Sequence, residues 1–208
     1  MRRFFRIGTL LAILATAMIS CATSEEQDEF HDWQQRNENF IDSISRVVNN
    51  TILPEKAVEG DFFRILRSDV DQSRTDWSPS KYIYCKVIKK GDGTGSPKST
   101  DYIRMNYRGR LIPSAKHLEG LIFDQSYKAE NIDPEICTPL EFRVSDLVAG
   151  VSLALQNMTT GDIWKVYIPY QLGYGTSDHD EIPGCSSLIF DINLTDYRAL
   201  GESAINNQ

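Results

Sequence analysis

The segment DYIRMNYRGRL, residues 101–111, alternates between two kinds of side chain along its length. The odd-numbered positions from Ile103 to Leu111 share one mostly apolar face, whereas three arginines and Asn106 share the other. Successive side chains of a β-strand point to opposite faces, so this pattern predicts a strand with one buried and one solvated side. Such a strand is typical of an antiparallel sheet.

The same alternation continues along the rest of the chain. It predicts further strands from Lys81 onward and within 120–126, 139–144, 162–169 and 187–197. Between them, residues 145–158 have helical apolar spacing, with Ser145 or Asp146 placed to cap the start. The sequence therefore predicts an α+β fold: a twisted antiparallel sheet of five to six strands wrapped around one short helix.

A second helix is predicted at the N-terminal side, over about residues 27–50. Its apolar positions form one stripe, made of Trp33, Phe40, Ile41, Ile44 and Val48. Either this stripe packs on its own domain, or it forms a homodimer or partner contact. The segment FFRIL, 62–66, is a short strand or helix, and 68–80 is a polar linker.

The first 21 residues, MRRFFRIGTLLAILATAMISC, have the layout of a secretory signal peptide. Cys21 follows MIS in a pattern that resembles the lipobox of bacterial lipoproteins, although Met18 stands where leucine is usual. We therefore expect a lipoprotein signal peptide at 1–20, a helical extension and linker at 21–80, a domain at 81–200 and a tail at 201–208. Lipidation at Cys21 would anchor the protein in the bacterial cell envelope, at the outer membrane and facing the periplasm or the surface. The alternative is a secreted protein with a buried or paired Cys21.

Composition and charge narrow the possible classes of function further. With 41% hydrophobic and 25% charged residues the chain is that of a globular protein, and its net charge of −7 argues against nucleic-acid binding. The three histidines lie far apart, and GDGTGS at 91–96 lacks the continuation of a phosphate-binding loop. No cofactor or metal is expected. Among the remaining cysteines, a disulfide between Cys137 and Cys185 is the preferred pairing.

Several short motifs occur in a fixed order between residues 106 and 194: NYRG, FD, LVAG, MTTGDIWKVYIP, LGYG and IPGCSSLIFDINL. That succession, on these strands and this helix, resembles the FKBP-type peptidyl-prolyl cis-trans isomerase domain. The resemblance implies a non-covalent, metal-free enzyme that rotates Xaa-Pro bonds of secreted or envelope polypeptides and assists their folding.

The resemblance also assigns roles to residues. Tyr107, Asp124 and Tyr174 match catalytic positions, with the Tyr174 hydroxyl and the Val148 N–H implied to hold carbonyls of the bound peptide. The implied substrate-binding walls are Phe123, Leu140, Leu147, Val148, Val151, Ile182 and Phe190.

The sequence departs from the family pattern at two of these walls. Val151 stands where tryptophan is common, and Leu140 stands where an aromatic residue is frequent. These changes favour the alternative function, a binding or chaperone module of the same fold with weak or no isomerase activity. His179 is expected to be a solvated loop residue outside the catalytic set.

Overall fold

The computed structural model describes residues 28–134 and 136–202; the predicted signal peptide, Cys21 and most of the predicted tail lie outside these ranges. The predicted α+β class is confirmed. The described strands are β1 (Phe62–Leu66), β2 (Tyr82–Lys89), β3 (Tyr102–Leu111), β4 (Ile122–Gln125), β5 (Leu140–Arg143), β6 (Ile163–Ile168) and β7 (Leu188–Arg198). The helices are α1 (Trp33–Ser45) and α2 (Ala149–Leu155).

All strands pair in antiparallel fashion in one sheet, with the order β1-β2-β6-β7-β3-β4 and with β5 beside β3. Strand β3 is central to this arrangement because it pairs with β4, β5 and β7. Its predicted inward face is buried at Ile103, Met105 and Leu111. Thus the register of β3 decides which residues of three other strands lie next to one another.

The sheet has seven strands among the described residues, more than the five to six expected for the domain. The additional strand, β1, comes from the N-terminal extension and pairs with β2 from Phe62 to Leu66. Phe63 and Ile65 of β1 are buried in the main core. The segment FFRIL is therefore a strand, because its alternate side chains complete the core at the edge of the sheet.

The predicted helix over residues 145–158 is shorter in the structure. A single 3₁₀ turn, Val144–Asp146, comes first, and Leu147 and Val148 are extended before α2 begins at Ala149. Neither Ser145 nor Asp146 caps α2, because Val148 occupies the N-cap position and no side chain bonds to the free N–H groups there. The Ser152 hydroxyl bonds back to the Val144 carbonyl, which stabilises the turn in place of a first helical turn.

The apolar stripe of α1 packs on its own domain, the first of the two alternatives. Ile41, Ile44 and Val48 form a small cluster with Tyr82 and Tyr84 of β2. These two tyrosines lie on the face of β2 opposite Ile83, so α1 covers the side of the sheet that α2 leaves open. A homodimer through this stripe would have to expose side chains that the chain already buries.

The preferred disulfide between Cys137 and Cys185 is wrong, because Cys85, Cys137 and Cys185 are all free thiols. Cys85 lies fully buried in β2, where burial raises the pKa of its thiol well above the ordinary value. Cys185 lies near Glu38 of α1, whereas Cys137 lies near Tyr127. The loops that carry the two cysteines therefore reach different parts of the surface.

Candidate functional site

A bulge in β4 places two consecutive side chains on one side of the sheet. Gly109 pairs with Asp124 but Arg110 pairs with Ile122, so Phe123 is an extra residue between two pairs. Bulges of this kind redirect side chains and are frequent beside functional sites. As a result, Phe123 and Asp124 both line the same cavity, although successive strand residues ordinarily point apart.

The Tyr107 hydroxyl donates a hydrogen bond of 2.7 Å to Asp124 Oδ2. Burial, and then the bond to this carboxylate, raise the pKa of Tyr107 above its ordinary value, so the hydroxyl keeps its proton. Asp124 itself is exposed at the cavity. The pair therefore presents a fixed carboxylate edge beside a buried aromatic ring.

Aromatic rings form the wall next to this pair. Phe123 meets Phe190 edge to face with ring centres 5.6 Å apart, and Phe190 is tilted against Tyr107 at 6.4 Å. Phe142 of β5 packs edge-on against Tyr107 at 5.7 Å. The rings of Phe123 and Phe190 meet over Gly109, where an added Cβ would lie 2.5 Å from Phe123 Cζ and 2.9 Å from Phe190 Cε1. A residue without a side chain is thus required beneath the wall.

Tyr174 follows a 3₁₀ turn, Tyr170–Leu172, and precedes Gly175, which adopts a φ of 79°. Glycine adopts this left-handed conformation without steric cost. The Gly175 N–H bonds to the Tyr170 carbonyl at 2.9 Å and closes the turn. Burial, followed by the charge of Asp124, raises the pKa of the Tyr174 hydroxyl, which is therefore available as a hydrogen-bond donor at the cavity.

His179 is an exposed loop residue, as expected, with 54% of its side chain accessible, and its ring also lines the cavity. Its ring stacks on Tyr174 with centres 4.2 Å apart and planes inclined by 12°. Two backbone hydrogen bonds of 2.9 Å pair His179 with Ile182, and both residues line the cavity. No local pattern in the sequence announces this contact, because it depends on the path of the loop.

The cavity has a volume of about 350 Å³ and opens to solvent. Its lining side chains are Phe123, Asp124, Tyr174, His179, Asp180, Glu181 and Ile182. Three of them are acidic, so the cavity combines aromatic and aliphatic side chains with a concentration of negative charge. Such a cavity with a few fixed polar groups is the usual form of a small binding site.

Four other predicted wall residues do not line this cavity. Val151 is 2% exposed and belongs to the core beneath the site, and Leu147 and Val148 are half-buried against that core. The Val148 N–H lies at the amino end of α2, where the first N–H groups have no partner within the helix. Leu140 is 44% exposed on β5, so the aromatic ring that packs on Tyr107 belongs to Phe142 instead.

A larger groove of about 580 Å³ lies on the other face of the sheet. The charged side chains on its floor form ion pairs with one another, since Asp191 lies 2.7 Å from Arg110 and 3.5 Å from Lys165. Arg108 bonds the backbone carbonyls of Ala129 and Glu130 and so holds the loop after β4. The residues of this groove stabilise the sheet and the loop, and they form no nucleophile–base arrangement.

The fold and the cavity define an α+β domain with an open cup, lined in part by aromatic rings, beside the bulged strand β4. The sequence profile of the FKBP-type peptidyl-prolyl cis-trans isomerases matches residues 93–195. Residues 93–195 therefore form a domain of the FKBP-type peptidyl-prolyl cis-trans isomerase family.

Several named proteins are similar to this chain. The chain is 27% identical over 185 residues to the macrophage infectivity potentiator of Trypanosoma cruzi, covering 88% of this chain and 79% of that protein. It is 36% identical over 110 residues to the peptidyl-prolyl cis-trans isomerase Mip of Coxiella burnetii, covering 52% of this chain and 42% of the relative. Outer membrane protein MIP of Legionella longbeachae is 35% identical over 117 residues, with coverages of 56% and 44%. The match thus spans less than half the length of each of these two bacterial relatives.

The crystal structure of FkpA from Escherichia coli has the same fold. It superposes with a TM-score of 0.55 at 23% identity, covering 81% of this chain and 61% of that one. The similarity therefore extends beyond residues 93–195 into the N-terminal part.

Proposed function

We propose that the protein catalyses cis-trans isomerisation of Xaa-Pro peptide bonds in secreted or envelope polypeptides and so assists their folding. The observation that carries the proposal is the Tyr107–Asp124 hydrogen bond, which stands with Tyr174 around an open aromatic cup. Membership of the isomerase family supports it.

The proposed mechanism needs no covalent intermediate. An Xaa-Pro amide isomerises through a state twisted out of resonance, over a barrier of about 20 kcal/mol. An apolar cup disfavours the more polar planar amide relative to the twisted one, and binding the twisted state more tightly accelerates the reaction. Lowering the barrier by about 4 kcal/mol would give roughly a thousandfold acceleration.

Each polar group has a part in this scheme. The Tyr174 hydroxyl and the Val148 N–H hold carbonyls of the bound chain on either side of the proline. Asp124, fixed by Tyr107, stands at the polar edge of the twisting amide, while Phe123, Ile182 and Phe190 enclose the ring. Leu147, Val151 and the exposed Leu140 complete the floor and outer wall.

The direct test is isomerisation of an Xaa-Pro peptide series by residues 22–208. The chain is expected to accelerate the reaction, and the Asp124→Ala, Tyr174→Phe double variant to lose about tenfold in kcat/KM, because two polar contacts to the twisted amide are removed. Circular dichroism verifies that both proteins are folded. A folded wild-type protein without acceleration above background would refute the isomerase.

The second candidate function is a binding or chaperone module of the same fold. The observation that favours it is Val151, which is smaller than the tryptophan common at this floor position. In that case the same peptides bind with measurable affinity, and aggregation of an unfolded client slows, while isomerisation stays at the background rate.

We further propose that Cys21 carries a lipid that anchors the protein at the cell envelope. The leader sequence supports this, as does the name of the Legionella relative, an outer membrane protein. Within residues 28–134 and 136–202, no helix is long and apolar enough to cross a bilayer. In cells given labelled palmitate the wild-type protein is expected to take up label and Cys21→Ser is not. Equal labelling of both would contradict the anchor.

A homodimer through the N-terminal helix stays a prediction. Because the apolar side of α1 is buried within the chain, only its polar side could meet a partner.

A further inference from the structure

The N-terminal helix α1 is connected by hydrogen bonds to the loop 176–187, which lines one side of the cavity. The Trp33 indole Nε1–H donates to Ser186 Oγ at 2.8 Å, and this contact is buried. The Ser186 hydroxyl in turn donates to the Pro183 carbonyl at 2.6 Å. Pro183 directly follows Ile182, a lining residue of the cavity.

A second connection runs beside the first. The Ser187 N–H donates to Asn37 Oδ1 at 2.7 Å, and Asn37 Nδ2 donates to the Trp33 carbonyl at 2.7 Å. Asn37 is fully buried, so these bonds satisfy polar groups that water cannot reach. Thus two neighbouring residues of the loop are bound to two residues one helical turn apart on α1.

The contacts continue from the loop to the candidate catalytic tyrosine. Ile182 is paired with His179 through two backbone hydrogen bonds, and the His179 ring stacks on Tyr174. The path from Trp33 to Tyr174 therefore consists of direct contacts at every step. It joins a helix outside residues 93–195 to the site within them.

The loop needs outside support because its backbone is strained. Asp180 and Cys185 adopt φ values of 50° and 63°, in the left-handed region that residues other than glycine rarely occupy. Such conformations persist only where the surroundings hold them in place. The indole of Trp33 is itself fixed, with the Phe30 ring edge-on at 5.0 Å and the Arg36 guanidinium over it at 4.9 Å.

We propose that Trp33 is a positioning residue for the active site, acting through Ser186 to hold His179 and Ile182 at the edge of the bound substrate. This inference rests on the proposed isomerase function. Because the positioned side chains line the cavity wall and do not contact the twisting bond in this scheme, their displacement weakens substrate binding more than it slows turnover.

The test compares Trp33→Phe, Ser186→Ala and the double variant in the chain of residues 22–208. Gln35→Ala is the control on the same helix, because it removes a side-chain hydrogen bond that stays within α1, to Asn39 Oδ1 at 3.1 Å. Each single variant at 33 or 186 is expected to raise KM for an Xaa-Pro peptide about three- to tenfold, as the loss of one buried hydrogen bond would, with kcat within about twofold. The double variant is expected to match the single ones, because both substitutions break the same connection.

Hydrogen exchange of the loop, residues 176–187, gives a readout that does not depend on activity. Faster exchange there in the two single variants, with unchanged exchange in Gln35→Ala, is expected. If the wild-type protein has no isomerase activity, the proposed function fails, and the exchange of this loop alone decides the inference. Unchanged loop exchange would overturn it, as would a KM equal to that of the control or losses that add up in the double variant.

Discussion

Replacing Asp162 by alanine is expected to lower the free energy of unfolding by about 3 kcal/mol, because a buried acceptor of three hydrogen bonds disappears. The Asp162 side chain is fully buried and accepts from the Gly91 N–H at 2.7 Å and the Thr159 N–H at 2.8 Å. The third donor is Lys90 Nζ at 3.1 Å, which is partly exposed and contributes less. Urea unfolding monitored by tryptophan fluorescence measures the change.

Asp92→Ala is the matched control for this prediction. Asp92 is an acidic residue of the glycine-rich turn 91–96, which Asp162 contacts through Gly91, but Asp92 is exposed, so its loss is expected to cost less than about 0.5 kcal/mol. Asp162→Asn keeps one oxygen acceptor and should fall between the two. A free energy of unfolding for Asp162→Ala within about 1 kcal/mol of the Asp92→Ala value would show that this carboxylate does not hold the turn to the sheet.

Replacing Gly109 by alanine is expected to reduce kcat/KM more than tenfold while lowering stability by only about 1–2 kcal/mol. The new methyl group would lie 2.5 Å from Phe123 Cζ and 2.9 Å from Phe190 Cε1, closer than carbon atoms pack. Both rings must move, and the open space beside Phe123 is the cavity. The substitution therefore changes the shape of the cup more than it disturbs the core.

Combining Gly109→Ala with Phe123→Leu tests the cause of this loss. Leucine lacks the outer ring atoms that the methyl group would meet, so the double variant is expected to recover stability relative to Gly109→Ala. Activity should stay low, since one aromatic wall is missing. Kinetics of the same Xaa-Pro peptides and urea midpoints for the three variants check both parts. Wild-type kcat/KM in Gly109→Ala would mean that the two rings do not shape the substrate site.

Much of the sheet could be predicted from the sequence, because alternation of side chains is a local property. In β3, β6 and β7 one face is buried as the period-two patterns predict. The other face of β3 is less solvated than predicted, since Asn106 and Arg108 are buried as well. The start of α2 could not be predicted in this way. Leu147 and Val148 fit a helical apolar face, yet the Ser152–Val144 hydrogen bond favours an extended entry.

The family resemblance predicted which residue types form the candidate site and the order in which they occur along the chain. It predicted their geometry less well. Tyr107, Asp124 and Tyr174 come from separate parts of the chain; in the structure Asp124 and Tyr174 line one cavity, and Tyr107 bonds to Asp124. The stacking of His179 on Tyr174 and the packing of Phe142 on Tyr107 were not predicted, because these partners are distant in sequence and meet through a loop path and a strand register.

The sequence by itself determined the α+β class, the periodic burial of the strands and the order of the site motifs, since each depends on residues a few positions apart. Only the tertiary structure decided the bulge at Phe123, the free state of the three cysteines and the side on which α1 packs. These features depend on contacts between residues far apart in the chain, such as Trp33 and Ser186. A local pattern specifies which side chains need burial or a polar partner, whereas folding selects the partner.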